Sequence, residues 1–360
     1  MSDIVHEGLE GIIASETRLS LVDGERGRLV VAGREIESLT GQLSFEQTYA
    51  LLFAAVGAEA VDLEAQLARG RARAFEALSG LGDALDRKDG MDALRASVAH
   101  MPGDASSAEV VAAVAVYTAA WSRRQRGLPA ISPRPEQGHA ESLLAMLGED
   151  VSFARVQALD AYLVTVLEHG FNASAFAARV VASTRSDRVS AVVAGIGALK
   201  GPLHGGAPGP VLEMLDAIGV PERAESYLRA ELDAGRRIMG MGHRIYRQRD
   251  PRAFVLERAL ERLERATQDD VRIRSRLALA RAVEHAAEGL LSARHPDRPL
   301  RANVEFYTAV LLEAVGVSGA LFSPLFACAR SAGWAAHFEE QRKYGRLIRP
   351  TARYIGVLPA

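Results

Sequence analysis

The chain is short of cysteine, of aromatic residues, of unbalanced charge and of long apolar runs. Its single cysteine among 360 residues is Cys328, which excludes an intramolecular disulfide and a cysteine-built metal cluster and fits a reducing, cytoplasmic setting. In an apolar helical pattern, Cys328 reads as core packing rather than as a reactive thiol. Basic and acidic residues number 43 and 45 and leave a net charge of −2, so there is neither a basic surplus for nucleic acid nor an acidic arm. The longest apolar run, Val110 to Trp121, includes Tyr117 and Thr118; it is too short to cross a bilayer and reads as a buried helix. Met1 to Glu10 is mixed polar and acidic, so no secretory leader is expected. Nine histidines are present, but without an H-E-x-x-H run or an i, i+4 histidine pair, so no metal is expected.

Strand signals are scarce too. Gly11 to Ala32 alternates β-branched and polar residues around the turn Asp23-Gly24-Glu25-Arg26-Gly27, which reads as a small β-hairpin. Elsewhere the pattern is helical. Ser44-Phe45-Glu46-Gln47 is a capping box. Helices are expected over Leu63–Leu81, Met91–Met101, Phe153–Glu168, Ala173–Val181, Val189–Leu199, Gly209–Ile218, Glu222–Ala234, Asp250–Thr267, Val271–Leu291 and Val304–Ala314. A last long helix opens with Ser323 as N-cap and Pro324 at its first position. Charged faces carrying Arg69, Arg71, Arg73 and Arg95 read as solvated surface. Pro129, Pro133 and Pro135 make Arg126–Gln137 a non-helical connection. The fold class is therefore all-α, and 360 residues exceed the size of one core, so a large and a smaller domain are expected.

The chemistry concentrates between Gly195 and Arg252. Two histidines sit in small-residue turns, Gly201-Pro202-Leu203-His204-Gly205-Gly206-Ala207 and Gly240-Met241-Gly242-His243-Arg244. Glycine around a histidine lets a backbone approach a ligand. Arg244, Arg247, Arg249 and Arg252 follow, suited to carboxylate or phosphate groups. Gly195-Ile196-Gly197-Ala198-Leu199-Lys200-Gly201 is glycine-rich, yet its spacing misses the dinucleotide fingerprint and it follows a helical pattern rather than a strand. His6, His100, His139, His285, His295 and His337 read as surface, turn, packing or interface residues.

These two turns, with Glu168-His169-Gly170-Phe171-Asn172-Ala173-Ser174, Asn303-Val304-Glu305-Phe306 and Arg349-Pro350-Thr351-Ala352-Arg353-Tyr354-Ile355-Gly356, resemble the citrate synthase family in order and spacing over nearly the whole chain. The resemblance implies a large domain of residues 1–206 and 317–360, a small domain of 207–316 closing over a cleft, and a homodimer. It implies condensation of acetyl-CoA with oxaloacetate, with acyl-CoA as substrate and no cofactor. His204 would donate to the acetyl-CoA carbonyl, His243 to the oxaloacetate ketone, and Glu305 would be the base. His169, Arg252 and Arg330 would bind oxaloacetate, with Asn172 in the substrate site orienting the neighbourhood of His169, and Arg349 would reach over from the second subunit. Gly240, Met241, Gly242 and Arg247 would meet coenzyme A. The same residues would serve a 2-methylcitrate synthase acting on propionyl-CoA, and an inactive paralogue that senses oxaloacetate or CoA is the alternative of another class. The chain departs from the family's usual pattern at Glu305, where aspartate is usual, at Arg301-Ala302, where an aromatic and a proline are usual, and at Val31-Ala32.

Overall fold

The computed structural model describes residues 5–9, 11–58, 61–204, 208–297 and 300–359. The hairpin forms where the alternation places it: β1 (Ser20–Asp23) pairs antiparallel with β2 (Arg28–Val31), with Ser20 opposite Val31 and Asp23 opposite Arg28. The Asp23 carboxylate accepts from Arg26 N at 3.0 Å and Gly27 takes a φ of +63°, a left-handed conformation that glycine adopts without steric cost. A third antiparallel strand, β3 (Arg34–Glu35), adds to β2. Two residues are too few to show a period of two, so no alternation announces it.

Fourteen α-helices follow among the described residues. Ser44 and Gln47 cap α1 (Phe45–Ala55) reciprocally. After α2 (Leu63–Glu76) and α3 (Gly90–Ala99) comes α4 (Ser107–Gln125), the expected buried helix, which opens on a second capping box at Ser106 and Glu109. The proline-rich connection leads to α5 (His139–Leu147), α6 (Phe153–Val166), α7 (Ala173–Ser183) and α8 (Arg188–Leu199). Then come α9 (Gly209–Ile218), α10 (Ala224–Asp233), α11 (Pro251–Ala266), α12 (Val271–Arg294), α13 (Val304–Ala314) and α14 (Phe322–Tyr344). The core runs along α4 and α14, which pack on each other; α2 and α3 cover α4, α7 and α8 cover α14, and α6 joins this group to α11. No described helix is long and apolar enough to cross a membrane.

Close approach explains the glycine-rich segment. It lies at the end of α8, where a Cβ on Gly195 would stand 2.7 Å from the Trp334 ring, so glycine there lets α8 and α14 meet. Cys328 is buried in α14, and burial pushes its thiol up to about 12, consistent with packing.

Four expectations need correction. Arg71 is not solvated: it is 1% exposed and donates to the Gln137 carbonyl at 2.6 Å, because α2 turns that residue towards the connection before α5. The last helix starts at Phe322 after a 3-10 turn over Gly319–Leu321, so Ser323 is not its N-cap and Pro324 lies within the first turn rather than at its first position. Proline still costs nothing there, since first-turn N–H groups have no helical acceptor. The segment expected to be helical from Glu222 starts instead with a 3-10 turn, Pro221–Arg223, and α10 follows it. Finally, α5 was not anticipated; its first residue, His139, is fully buried and stacks on Phe45 at 4.6 Å. Of the two expected domain boundaries, residues 206 and 207 lie outside the described residues, as does Gly205 of the His204 turn.

Candidate active site

The site is assembled from turns at helix ends. After α6 the chain runs through Leu167, Glu168 and His169 and reverses at Gly170, φ +66°, as a left-handed glycine near a helix end allows. Asn172 then caps α7. Its Oδ1 accepts from Ser174 N (3.1 Å), Ala175 N (3.0 Å) and Ser174 Oγ (2.8 Å), and its Nδ2 donates to the Gly170 carbonyl at 3.1 Å. Every polar atom of that side chain works within the chain, so Asn172 shapes the His169 turn. His169 is buried; its Nε2 lies 3.1 Å from Tyr246 Oη and its ring stands edge-on to His243 at 5.8 Å. Burial, and then Arg252 and Arg330, hold its pKa well below the ordinary value.

His243 has a defined tautomer. Its Nδ1 accepts from Ile245 N at 3.0 Å and Tyr246 N at 3.1 Å. Backbone N–H groups only donate, so the ring proton belongs on Nε2. Burial and Arg252 bring its pKa down to about 4, leaving the ring neutral at pH 7. The Nε2 atom faces a terminal nitrogen of Arg252 at 3.3 Å; two donors therefore converge on one space, an arrangement suited to an oxygen acceptor.

Arg252 is held by Asp250, which precedes it at the start of α11. Asp250 Oδ1 accepts from Arg252 N and Nε, both at 3.0 Å, and Oδ2 accepts from a terminal nitrogen at 2.8 Å. Burial works against the Arg252 charge, but Asp250, and more weakly Tyr246 and Glu305, raise its pKa above the ordinary value. One guanidinium edge is thus fixed to Asp250, and the other remains for a ligand. Arg330, on α14, is arranged in a similar way. Its Nε donates to the Val166 carbonyl at 2.7 Å, and one terminal nitrogen has no partner among the described residues. Burial lowers its pKa to about 10, well above neutrality. A buried guanidinium with an unpartnered donor has the charge and geometry that suit a carboxylate.

His204 is set from behind. Its Nε2 accepts from Ser174 N at 3.3 Å, which puts the ring proton on Nδ1, and it shares with Asn172 Oδ1 the one proton of Ser174 Oγ, which lies 2.8 Å from each. Ser174 Oγ in turn accepts from Trp334 Nε1 at 3.0 Å, so the Gly195–Trp334 contact supports the histidine. Burial, and then Arg330, bring the His204 pKa down to about 4.

Glu305 lies in the first turn of α13, capped by Asn303, whose Oδ1 accepts from Glu305 N at 3.0 Å. The Gly240–Gly242 turn is tied to this cap: Asn303 N donates to the Gly240 carbonyl and Asn303 Nδ2 to the Gly242 carbonyl, both at 2.9 Å, and Gly242 N donates to the Arg301 carbonyl at 2.7 Å. Gly240 and Gly242 have φ of +74° and +84°, and a Cβ on either would stand 2.9 Å from Phe306 or Leu300. Both glycines therefore serve close packing of the His243 turn on the Glu305 helix. Burial raises the Glu305 pKa, opposed by Arg252.

Behind the site, Glu168 Oε1 accepts from Ser20 Oγ at 2.8 Å and lies 3.2 Å from His337 Nε2. Burial pushes its pKa up, but His337, Arg330 and Ser20 bring it below the ordinary value. Arg179 lies 3.3 Å from His337 Nδ1 and donates to Glu340 at 2.6 Å, so His337 has a place in a buried network, as expected of a core residue.

His169, His204, His243, Arg252, Arg330 and Glu305 are thus linked by contact or electrostatic influence. Two expected residues stand apart from them. Arg247 is exposed and joins the fold through its backbone, and Arg349 is exposed in an extended tail beyond α14. Sequence reasoning overlooked Ser174, Tyr246, Asp250, Glu168 and Trp334 as functional supports. The signal for Asp250 was available, since aspartate before proline at a helix start is a capping pattern; nothing in the sequence pairs Ser174 with His204.

Fold and site together define an all-α enzyme scaffold that gathers buried histidines, two buried guanidinium groups and a carboxylate at the ends of its helices. The chain belongs to the citrate synthase family: the family model described as citrate synthase, C-terminal domain, matches residues 8–351. It is 35% identical to the citrate synthase of Acidithiobacillus ferridurans, over 97% of this chain and 95% of that protein. It is 36% identical to the 2-methylcitrate synthase of Mycobacterium tuberculosis, over 98% of this chain and 91% of that protein. Among solved structures, the ternary complex of carboxymethyl coenzyme A and oxaloacetate with citrate synthase from Thermoplasma acidophilum superposes with a TM-score of 0.86 at 25% identity, covering 100% of this chain and 98% of that one.

Proposed function

We propose that this enzyme condenses acetyl-CoA with oxaloacetate and releases citrate and free CoA. The observation that carries the reading is the convergence of the His243 Nε2–H and the free edge of Arg252, with Arg330 and His169 beside them: a ketone flanked by two carboxylates needs one aimed donor and two guanidinium forks. Oxaloacetate fits that demand. Glu305 takes a proton from the acetyl methyl, and the enolate oxygen is held by the His204 Nδ1–H. The methyl carbon then bonds to the ketone carbon as the C=O π bond breaks, and the ketone oxygen takes up a proton by way of His243 to become the hydroxyl, while Glu305 returns its proton to solvent. Water finally cleaves the thioester to citrate and CoA. No cofactor takes part. Arg247 and the turn of Gly240, Met241 and Gly242, whose backbone leads into His243, are assigned to the coenzyme A side of the site.

Ligands for oxaloacetate come from both segments of the resemblance, His169 and Arg330 from one and His243 and Arg252 from the other, so oxaloacetate draws the 207–316 domain over the cleft. The tail beyond α14 exposes Leu347, Tyr354, Ile355, Val357 and Leu358, an apolar strip that suits a second subunit and would carry Arg349 to the neighbouring site. The lone Cys328 favours the cytoplasm.

A second reading, 2-methylcitrate synthesis from propionyl-CoA, is supported by the equal similarity to relatives of both names. One methylene is worth only about 1–3 kcal/mol in a pocket. The test is steady-state CoA release from acetyl-CoA and from propionyl-CoA with oxaloacetate. Preference for acetyl-CoA is expected; preference for propionyl-CoA selects the second reading, and failure with both selects an oxaloacetate sensor.

A further inference from the structure

We propose that the β1–β2 turn is a positioning element for the active-site histidines, with Gly24 as the residue that sets His243. The proposal rests on the reading that His243 works in the condensation.

The hairpin touches both histidine-bearing segments. At its base, Ser20 Oγ accepts from Gly170 N at 2.9 Å and donates to Glu168 Oε1 at 2.8 Å; Val22 packs so close that a Cβ on Gly170 would stand 2.9 Å from its Cγ2. These contacts hold the residues on either side of His169. At its tip, the Gly24 carbonyl accepts from Arg247 N at 2.9 Å. A Cβ on Gly24 would overlap the Ile245 carbonyl oxygen, with the carbonyl carbon at 2.9 Å and Cγ2 at 2.8 Å. Gly24 carries no positive φ, so close approach, not backbone conformation, is what requires glycine here. Gly27 seats the other side of the tip, where a Cβ would stand 2.9 Å from Gln248 Cβ.

The Ile245 carbonyl and the Tyr246 N–H share one rigid peptide plane. That N–H, together with Ile245 N–H, holds His243 Nδ1 at 3.1 and 3.0 Å. Any group that pushes the Ile245 carbonyl therefore tilts the donors that fix the His243 tautomer and aim its Nε2–H. The two feet of the hairpin also set the spacing between His169 and His243, whose rings meet at 5.8 Å. A β-ribbon at the far end of the sequence from His243 thereby becomes part of the site's frame.

Gly24→Ala tests this, with Gly80→Ala as control because a Cβ there meets nothing within 4 Å. Relieving the overlap moves the Ile245 peptide by about 1 Å, and a misplacement of that size costs about a hundredfold in kcat. The expected result is that loss in a Gly24→Ala protein that is still folded by circular dichroism, with a thermal midpoint below that of Gly80→Ala because the overlap strains the native state. Nitrogen NMR of labelled histidine, with His243→Gln for assignment, should show the His243 Nδ1 resonance displaced in Gly24→Ala only. Should Gly24→Ala not fold, Gly27→Ala decides: it is expected to lose kcat, and the double variant Gly27→Ala/Gln248→Gly to regain it, because the strained φ is common to both while the contact is not. A kcat within twofold of wild type together with an unmoved Nδ1 resonance in Gly24→Ala overturns the proposal, as does an absence of rescue in the pair. Inactivity of the wild type with both acyl-CoAs would instead refute the functional reading, and the NMR comparison would still decide the positioning.

Discussion

Replacing Asp250 by asparagine should cost both stability and substrate affinity, and the structure shows why. The two carboxylate oxygens of Asp250 accept four bonds: Oδ1 from Arg252 N and Nε, Oδ2 from the Arg252 terminal nitrogen and from Val304 N at 3.2 Å. Asparagine keeps one acceptor and turns the other into an NH2. With its oxygen placed at Oδ1 the cap on α11 survives, but the amide nitrogen then faces two donors, the guanidinium and Val304 N–H. With the amide reversed, Arg252 Nε and the cap lose their acceptor. Either way a guanidinium only 3% exposed loses its counter-charge, and breaking a buried pair in this manner costs about 3–5 kcal/mol. A protein of ordinary stability, about 5–15 kcal/mol, survives that loss but with a clearly lower urea midpoint. Function should suffer through two routes, because Asp250 aims Arg252 and also holds the first turn of α13, which carries Glu305. Urea unfolding followed by circular dichroism, together with KM for oxaloacetate and kcat, would measure both. An unchanged urea midpoint with unchanged KM and kcat would refute the claim that this carboxylate organises the site.

Glu305→Gln should abolish CoA release while leaving oxaloacetate binding by calorimetry nearly intact, and Glu305→Asp should be slower than wild type because the shorter side chain falls short; full activity in the amide would remove Glu305 as base. Since burial raises the Glu305 pKa and the base must be ionised, kcat should decline on the acid side at a pH above that of an ordinary carboxylate, which a pH–rate profile reads directly. His139 has a folded pKa lowered to about 3 by burial and then Arg71, below its unfolded value near 6.5. The unfolded chain binds the extra proton between those values, so this contribution to stability is complete above about pH 6.5 and falls by up to about 1.4 kcal/mol per pH unit towards pH 3. His139→Phe should flatten that slope, and should stabilise at pH 7 by about 1 kcal/mol, since both ring nitrogens are buried without partners among the described residues; an unaltered pH dependence of the thermal midpoint would contradict this. Arg349→Ala mixed with His243→Ala should regain activity after subunit exchange if the tail completes the neighbouring site, and no recovery after verified exchange would exclude a shared site.

Much was legible in the sequence because helix and turn signals are local. Capping at Ser44, the apolar run that became α4, the turn at Asp23–Gly27 and the bounds of α9 and α13 each depend on neighbours within a few residues. The histidine turns were legible for the same reason, since glycines crowded around a histidine are visible without the fold. What the tertiary structure decided is which atoms of those residues remain free. Gly240 and Gly242 were legible as places for close backbone approach, and the structure adds that they make room for Phe306 and Leu300. Asn172 was expected to orient the neighbourhood of His169, and only the structure shows that it does so as the cap of α7. Arg71 looked solvated and is buried. The tautomers of His243 and His204 depend on the N–H groups of Tyr246 and Ser174, and the approach of Gly24 to Ile245 joins residues more than two hundred positions apart in the numbering. Spacing along a chain determines which side chains share a helix face or a turn; hydrogen-bond occupancy and van der Waals contact between distant segments exist only once the chain has closed on itself.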